Sequence, residues 1–455
     1  MLATKKAWHT SMSIINDPLR EPDAKVRVFL ECTTTWAFGG NTGIQRVVRN
    51  VITHARSLGR ALDIACEPAV WKDWRWEFIG GLSAEPALGR EWDTLGVRLL
   101  KVAHRWASAS PYPFRNVLFD YRIKRFLRSI VLLMGNILAT SRYRASGCGV
   151  NFEPGDVLFL LDSSWHVPIW PGVAAARRRG ARVGIMLYDL VPVLMPEMCA
   201  QELVASFQRW IRQAVRHADF FVCISRDMVE ECRRHLEFHF PELQRRRVPF
   251  DSVRLGAELD LSASSAEIRH AVREVFQTPG QAYISVGTIE PRKNHWYLLD
   301  AFDLAWTQGT DASLCIVGKK GWKCDHVLER IERHPQLGKR LFMFNDLSDG
   351  ELKHCYGKAR AAILPSVAEG FGLPVVEALS LGCRVWASDI PVLREVGGDY
   401  CLYFDLGSPQ SLAELIMRDE RGELGGASRP LAEFHWPDWQ ESCRELLQKI
   451  LELGR

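Results

Sequence analysis

Short runs of β-branched and aromatic residues alternate with longer segments of helical periodicity, and they do so twice along the chain. The first run is VRVFLEC at 26–32. The loop TTTWAFGGNTG follows it, and IQRVVRNVITHARSLG then repeats its apolar positions at helical spacing. Further strands are predicted at 156–161, 182–187 and 220–224, with helix between them, notably over 204–217. The pattern breaks at 262–281 and resumes with strands at 283–286, 313–317, 341–344, 361–364 and 384–387. Strands separated by helices pair in parallel, with helices covering both sheet faces. The expected fold class is α/β: two doubly wound, Rossmann-like domains facing a cleft at the carboxyl ends of their strands, where open parallel sheets bind ligands. Because 455 residues exceed one ordinary core, the expected division is 1–260, 261–436 and a final helix over 437–455 that packs back on the first domain. A basic helical insertion interrupts the first domain at about 100–148.

Composition narrows the class. With 47% hydrophobic and 25% charged residues the chain is globular, without low-complexity segments. Twelve cysteines are scattered singly, with neither Cys-x-x-Cys pairs nor zinc-finger spacing, which excludes a disulfide framework and fits a reducing cytoplasm. The first residues lack the apolar core of a signal peptide, and no run reaches the roughly 18 to 20 apolar residues that cross a bilayer. The expected location is the cytoplasm, with peripheral contact at the inner face of the cytoplasmic membrane. Charge is divided unevenly. Residues 1–250 carry 35 Lys/Arg against 24 Asp/Glu, and residues 251–455 carry 23 against 30. A basic half suits an anionic partner, either nucleic acid or a membrane surface. The run RIKRFLRSIVLLMGNIL at 122–138 reads either as a packed helix or as an interfacial one. The arginine clusters at 177–179 and 245–247 gain meaning only if they share a face.

Two stretches carry chemistry. LPSVAEGFGLPVVE, at 364–377, runs from a strand end through a Gly-Phe-Gly turn into a helix with Pro374 in its first turn, where a missing N–H costs nothing. The free amides of such a helix start favour an anion such as a diphosphate, and Gly370 and Gly372 let the backbone come close to it. Glu369 and Glu377 supply two carboxylates at different depths, and an ionised carboxylate accepts both hydrogens of a vicinal diol. The second stretch, SVGTIEPRKN at 285–294, ends a strand at Gly287 and Thr288 and then places Arg292 and Lys293 where they can hold phosphate oxygens and stabilise a departing nucleoside diphosphate. No Asp-x-Asp, His-Glu-x-x-His or P-loop sequence occurs, so no metal or other cofactor is expected.

These motifs resemble those of the retaining glycosyltransferases of family 4, which have the GT-B fold. The likeness covers the second domain almost entirely, through VGTIEPRKN, LPSVAEGFGLPVVEAL and GCRVWASDIPVLREVGG, and reaches the first through GGNTGIQRV, LYDLVP and CISRDM. It implies that Glu377 binds the donor ribose, that Glu369 approaches the donor sugar and that Arg292 and Lys293 hold the diphosphate. The amides of Gly370, Phe371, Gly372 and Leu373 complete the cradle, and Gly40 and Gly43 border the diphosphate from the first domain. Thr288 stands where many relatives have arginine, and Tyr188-Asp189 stands where many have His-Asp facing the donor sugar. The TGIQRV and YDLVP variants are similar to a subgroup of bacterial polysaccharide assembly that uses mannose or deoxyhexose donors. The partners implied are a nucleotide-sugar, with GDP-mannose favoured, and a saccharide or polyprenyl-linked saccharide acceptor.

Weaker features are read as structural. His235 and His239 stand at i, i+4 without a third ligand, so they are not a metal site. Trp71, Trp74 and Trp76 are assigned to packing rather than to stacking on an acceptor sugar. The alternatives retained are a GT-B-like nucleotide-sugar epimerase and a non-catalytic nucleotide-sugar-binding membrane scaffold. Nucleic-acid binding is set aside for want of any supporting motif.

Overall fold

A computed structural model describes residues 26–39, 42–72, 74–82, 150–259, 267–277 and 282–455. The expected insertion at 100–148, with its run at 122–138, and Gly40 lie outside these residues.

The first sheet contains β1 (Val26–Glu31), β2 (Ile64–Lys72), β3 (Arg75–Phe78), β4 (Val157–Leu160), β5 (Arg182–Leu187), β6 (Phe220–Cys223) and β7 (Phe250–Ser252), in the order β3-β2-β1-β4-β5-β6-β7. The second contains β8 (Ala282–Val286), β9 (Ser313–Val317), β10 (Leu341–Phe344), β11 (Ala362–Leu364), β12 (Val385–Ser388) and β13 (Cys401–Phe404), in the order β10-β9-β8-β11-β12-β13. Every pairing is parallel except β2 with β3. Both sheets reverse direction of growth beside their first strand, between β1 and β4 and between β8 and β11. Loops diverge there and leave a crevice.

The helices that position the cleft are α1 (Gly43–Ala61), α2 (Trp170–Arg178), α3 (Gln201–His217), α4 (Arg226–His239), α5 (Glu242–Arg246), α6 (Asp349–Lys358), α7 (Leu373–Ser380), α8 (Pro391–Gly397) and α9 (Trp439–Leu453). Strand β1 shows how both sheet faces are buried. Val28 and Leu30 share one core with Val47, Val48 and Val51 of α1, whereas Phe29 points to the other face and packs with Trp71 and Trp76. Alternate side chains on opposite faces are the period-two rule of a strand covered on both sides.

The final helix α9 lies against α1 of the first domain: Cys443 donates to the Val51 carbonyl, and Arg182 donates to the carbonyl of Arg455 at 2.8 Å. Trp439 and Trp436, which lead into it, donate to the carbonyls of Glu258 and Leu255 at 2.9 and 2.7 Å. The chain therefore crosses between the domains twice. Trp71 and Trp76 face each other across the β2–β3 hairpin and are buried, with Trp74 in the turn at φ 64°. The eleven described cysteines are free and buried.

Candidate active site

The cleft wall of the second domain is built on the adjacent ends of β8 and β11. After β8 the chain passes Gly287, where an added Cβ would lie 3.3 Å from Lys293 Cε, so glycine leaves room for the lysine to fold back over the strand end. A tight turn over Pro291–Lys293 ends at Asn294 in the left-handed region (φ 54°) and aims Arg292 and Lys293 the same way. After β11, Ser366 donates to Glu369 Oε1 at 2.7 Å, and its own carbonyl is held by Ser388 Oγ. Glu369 then meets both cations. Arg292 Nη1 donates to Oε2 at 2.6 Å and Lys293 Nζ donates to Oε1. Arg292 also lies 2.7 Å, through Nε, from Glu290 Oε1 and donates to the Ala368 carbonyl at 3.2 Å. The turn continues to Gly372 (φ 99°), which caps α7 with Pro374 in the first turn.

The facing wall comes from the strand ends of the first domain. A Cβ on Gly370 would fall 1.9 Å from the Tyr188 carbonyl oxygen, so only glycine permits this approach, and Ser225 Oγ donates to the Gly370 carbonyl at 3.1 Å. Glu395 of α8 accepts from the amides of Arg226 and Asp227 at 2.8 Å each, placing a carboxylate on the positive start of α4. Trp322 and Lys323 donate to the carbonyls of Met198 and Glu197. The cleft is closed in this structure.

Electrostatics separate the carboxylates. Burial would raise the Glu369 pKa, but Lys293 and Arg292 outweigh it and bring the group down to about 2, so it is ionised at any working pH. Asp189 accepts from the Val191 amide at 3.1 Å, and burial pushes its pKa up against the pull of Arg292. Burial likewise raises Glu290. Glu377, inside the otherwise apolar start of α7, is raised by burial despite Arg46 beside it. Deeper in the first domain, Glu31 at the end of β1 accepts from the Thr33 amide at 2.8 Å, Ser164 Oγ at 2.7 Å and the Asp162 amide at 3.3 Å. Burial, followed by the charge of Asp162, lifts it to about 7.

The structure thus gathers Arg292, Lys293, Glu369, Asp189, Gly287 and Gly370 at one point, with Gly43 facing Leu373 across the cleft at 3.5 Å from an added Cβ. Thr288 borders Gly321 on the same wall. Two expected site residues turn their side chains elsewhere. Tyr188 is buried and donates to the Leu161 carbonyl at 2.7 Å, so its backbone rather than its ring meets the cleft. Phe371 is buried against Trp436, with ring centroids 5.9 Å apart. Sequence reasoning missed Arg46, which reaches from α1 to Glu377, and Glu290, Ser225 and Glu395. The signal for Arg46 was Glu377 itself, since a carboxylate within LPVVEAL needs a cation to be tolerated there. Two cations braced by carboxylates at strand ends, beside the amides of a helix start, can hold a diphosphate and stabilise charge on it as it leaves.

Residues 270–423 match the family model described as Glycosyl transferases group 1. The chain is also similar to the Serotype-specific mannosyltransferase WbdA of Escherichia coli, 31% identical over 307 residues. That match covers 66% of this chain and 38% of WbdA, so the chain spans well under half the length of this relative. Among solved structures, the Candida albicans trehalose-6-phosphate phosphatase N-terminal domain is similar at TM-score 0.59, with 11% identity over 96% of this chain and 98% of that one. Sucrose-phosphate synthase from Thermosynechococcus elongatus is similar at TM-score 0.51, with 17% identity over 94% of this chain and 95% of that one. The expected fold is borne out: two Rossmann-like domains in the GT-B arrangement.

Proposed function

We propose that the protein is a retaining glycosyltransferase that moves a hexose from a nucleotide-sugar to a growing or lipid-linked saccharide in bacterial surface polysaccharide synthesis. The observation that carries this is the meeting of Arg292, Lys293 and Glu369 at the adjacent ends of β8 and β11, beside the start of α7. In this reading Lys293 and Arg292 hold the diphosphate and take up the charge it gains on departure, without a divalent metal. The amides from Gly370 onward cradle phosphate and sugar, and Glu377 accepts from the ribose hydroxyls. The leaving phosphate departs from the face that the acceptor hydroxyl attacks, and configuration is retained. Likeness to a mannosyltransferase favours GDP-mannose as donor.

Membrane association is supported by the pole opposite the cleft. There Arg177 of α2 and Arg246 of α5 both reach the Arg216 carbonyl at the end of α3, at 3.5 and 3.4 Å, so the 177–179 and 245–247 clusters share one face. Phe238, at the end of α4, is 77% exposed. Among the described residues Arg178, Arg233, Arg245 and Arg247 are exposed and have no carboxylate within ion-pair distance. Such a face suits an anionic lipid surface. No described helix is long and apolar enough to cross a membrane.

The test is a thermal-shift screen against GDP-, UDP- and dTDP-sugars, followed by a transfer assay with the donor that binds. Selective stabilisation and acceptor-dependent transfer are expected. Conversion of the donor without acceptor would show an epimerase, and binding without turnover a non-catalytic scaffold.

A further inference from the structure

Arg46 stands on the first domain, three residues into α1, yet both of its ion-pair partners belong to the second. Its Nη1 donates to Glu377 Oε1 and its Nη2 donates to Asp349 Oδ1 of α6 at 3.1 Å. All three side chains are nearly buried, at 13%, 4% and 13% exposure for Arg46, Glu377 and Asp349. The hydroxyl of Tyr356, also on α6, lies 3.5 Å from Glu377 Oε2. The two helix starts approach closely here: a Cβ added to Gly43 at the start of α1 would lie in van der Waals contact, 3.5 Å, with the Leu373 side chain at the start of α7.

A buried ion pair is poor value as a source of stability alone, because desolvation offsets its attraction. Its chemistry explains its place better. Glu377 lies on an apolar helix start, where burial favours the neutral acid, and only the ionised carboxylate accepts both hydrogens of a diol. The cation that opposes burial does not come from Glu377's own domain.

We infer that Arg46 is a positioning residue for the donor site: its guanidinium opposes the burial of the Glu377 carboxylate and aims it for the ribose diol, and because it crosses the cleft it makes donor recognition depend on domain closure. This rests on the reading of Glu377 as the ribose carboxylate. Asp349 holds the second edge of the guanidinium so that its fork cannot swing away, and Tyr356 steadies the other carboxylate oxygen. The groups facing Glu377 are therefore Arg46 from α1 and Asp349 and Tyr356 from α6.

The test titrates GDP and UDP, which share a ribosyl diphosphate, into the wild-type protein and into Arg46→Met, Arg46→Lys, Glu377→Gln and the double variant Arg46→Met/Glu377→Gln, across pH. Arg46→Met should weaken binding by about tenfold or more near neutral pH. The pH at which affinity falls on acidification should also move upward, because Glu377 without its cation protonates earlier. Arg46→Lys, which returns the charge, should recover part of both effects. In the Glu377→Gln background the Arg46 change should cost little further. Wild-type affinity in Arg46→Met, a loss that does not change with pH, or full additivity with Glu377→Gln would each overturn the inference. Wild-type affinity in Glu377→Gln would instead remove the donor-site reading on which it rests.

Discussion

Gly370→Ala separates the catalytic role of closure from the stability of either domain. Gly370 lies outside the left-handed region, so alanine is free to adopt its backbone. The obstacle is the Tyr188 carbonyl oxygen of the other domain, 1.9 Å from the new Cβ, where ordinary contact needs about 3.4 Å. The facing walls must therefore part by about 1.5 Å, and the hydrogen bond from Ser225 Oγ to the Gly370 carbonyl lengthens with them, at a cost of about 1 kcal/mol. A misplacement of about 1 Å between reacting groups is enough to cost on the order of 100-fold, or about 2.7 kcal/mol of barrier. The expected result is a fall in kcat/KM of about 100-fold for sugar transfer, measured under single-turnover conditions, with circular dichroism unchanged and small-angle scattering showing a more open particle. A variant within about threefold of the wild-type rate would refute the reasoning, since closure at this contact would then be dispensable.

EDTA should leave the transfer rate unchanged if, as proposed, Arg292 and Lys293 take up the charge of the leaving diphosphate; loss restored by magnesium or manganese would contradict this. Replacing Arg178, Arg233, Arg245 and Arg247 by Gln and Phe238 by Ser should release the protein from anionic vesicles at moderate salt, each arginine near the surface contributing about 1 kcal/mol. Unchanged sedimentation with the vesicles would clear this face of a membrane role. Glu31→Gln tests the buried carboxyl pair. A carboxyl lifted to about 7 binds its proton more tightly folded than unfolded, so its contribution to stability falls as pH rises from the ordinary carboxylate range through about 7. The melting temperature of Glu31→Gln should lack that component and decline less than wild type over this range; parallel melting profiles would argue against the shift.

Much of this was legible because the decisive signals are local. The change from period two to helical spacing marked nine strands, and the glycine turn with Pro374 marked the start of α7. Arg292, Lys293 and Glu369 could be paired from sequence because each follows a strand that a parallel sheet must end at the same edge. What stayed hidden depends on contacts between distant segments. Arg46 is 331 residues from Glu377 and 303 from Asp349, and nothing near it announces a partner. The side chain of Tyr188 was expected toward the donor sugar, but the residue directly after β5 keeps the alternation of the strand and turns its ring into the core. Strand β2 escaped because Glu67 and Pro68 interrupt its apolar run, although β3 pairs with the residues that follow. The short strands β7 and β13 carry polar or half-exposed residues and offer too little pattern to separate them from loop.

The central claim is that the cation pair at the ends of β8 and β11 serves transfer of a sugar from a nucleotide-sugar. Incorporation of labelled mannose from GDP-mannose into a saccharide acceptor, compared between wild type and Lys293→Ala, tests it most directly. The account predicts acceptor-dependent incorporation by the wild type and its loss by about 100-fold or more in a variant that still folds and still closes. Incorporation by Lys293→Ala at the wild-type rate would contradict it.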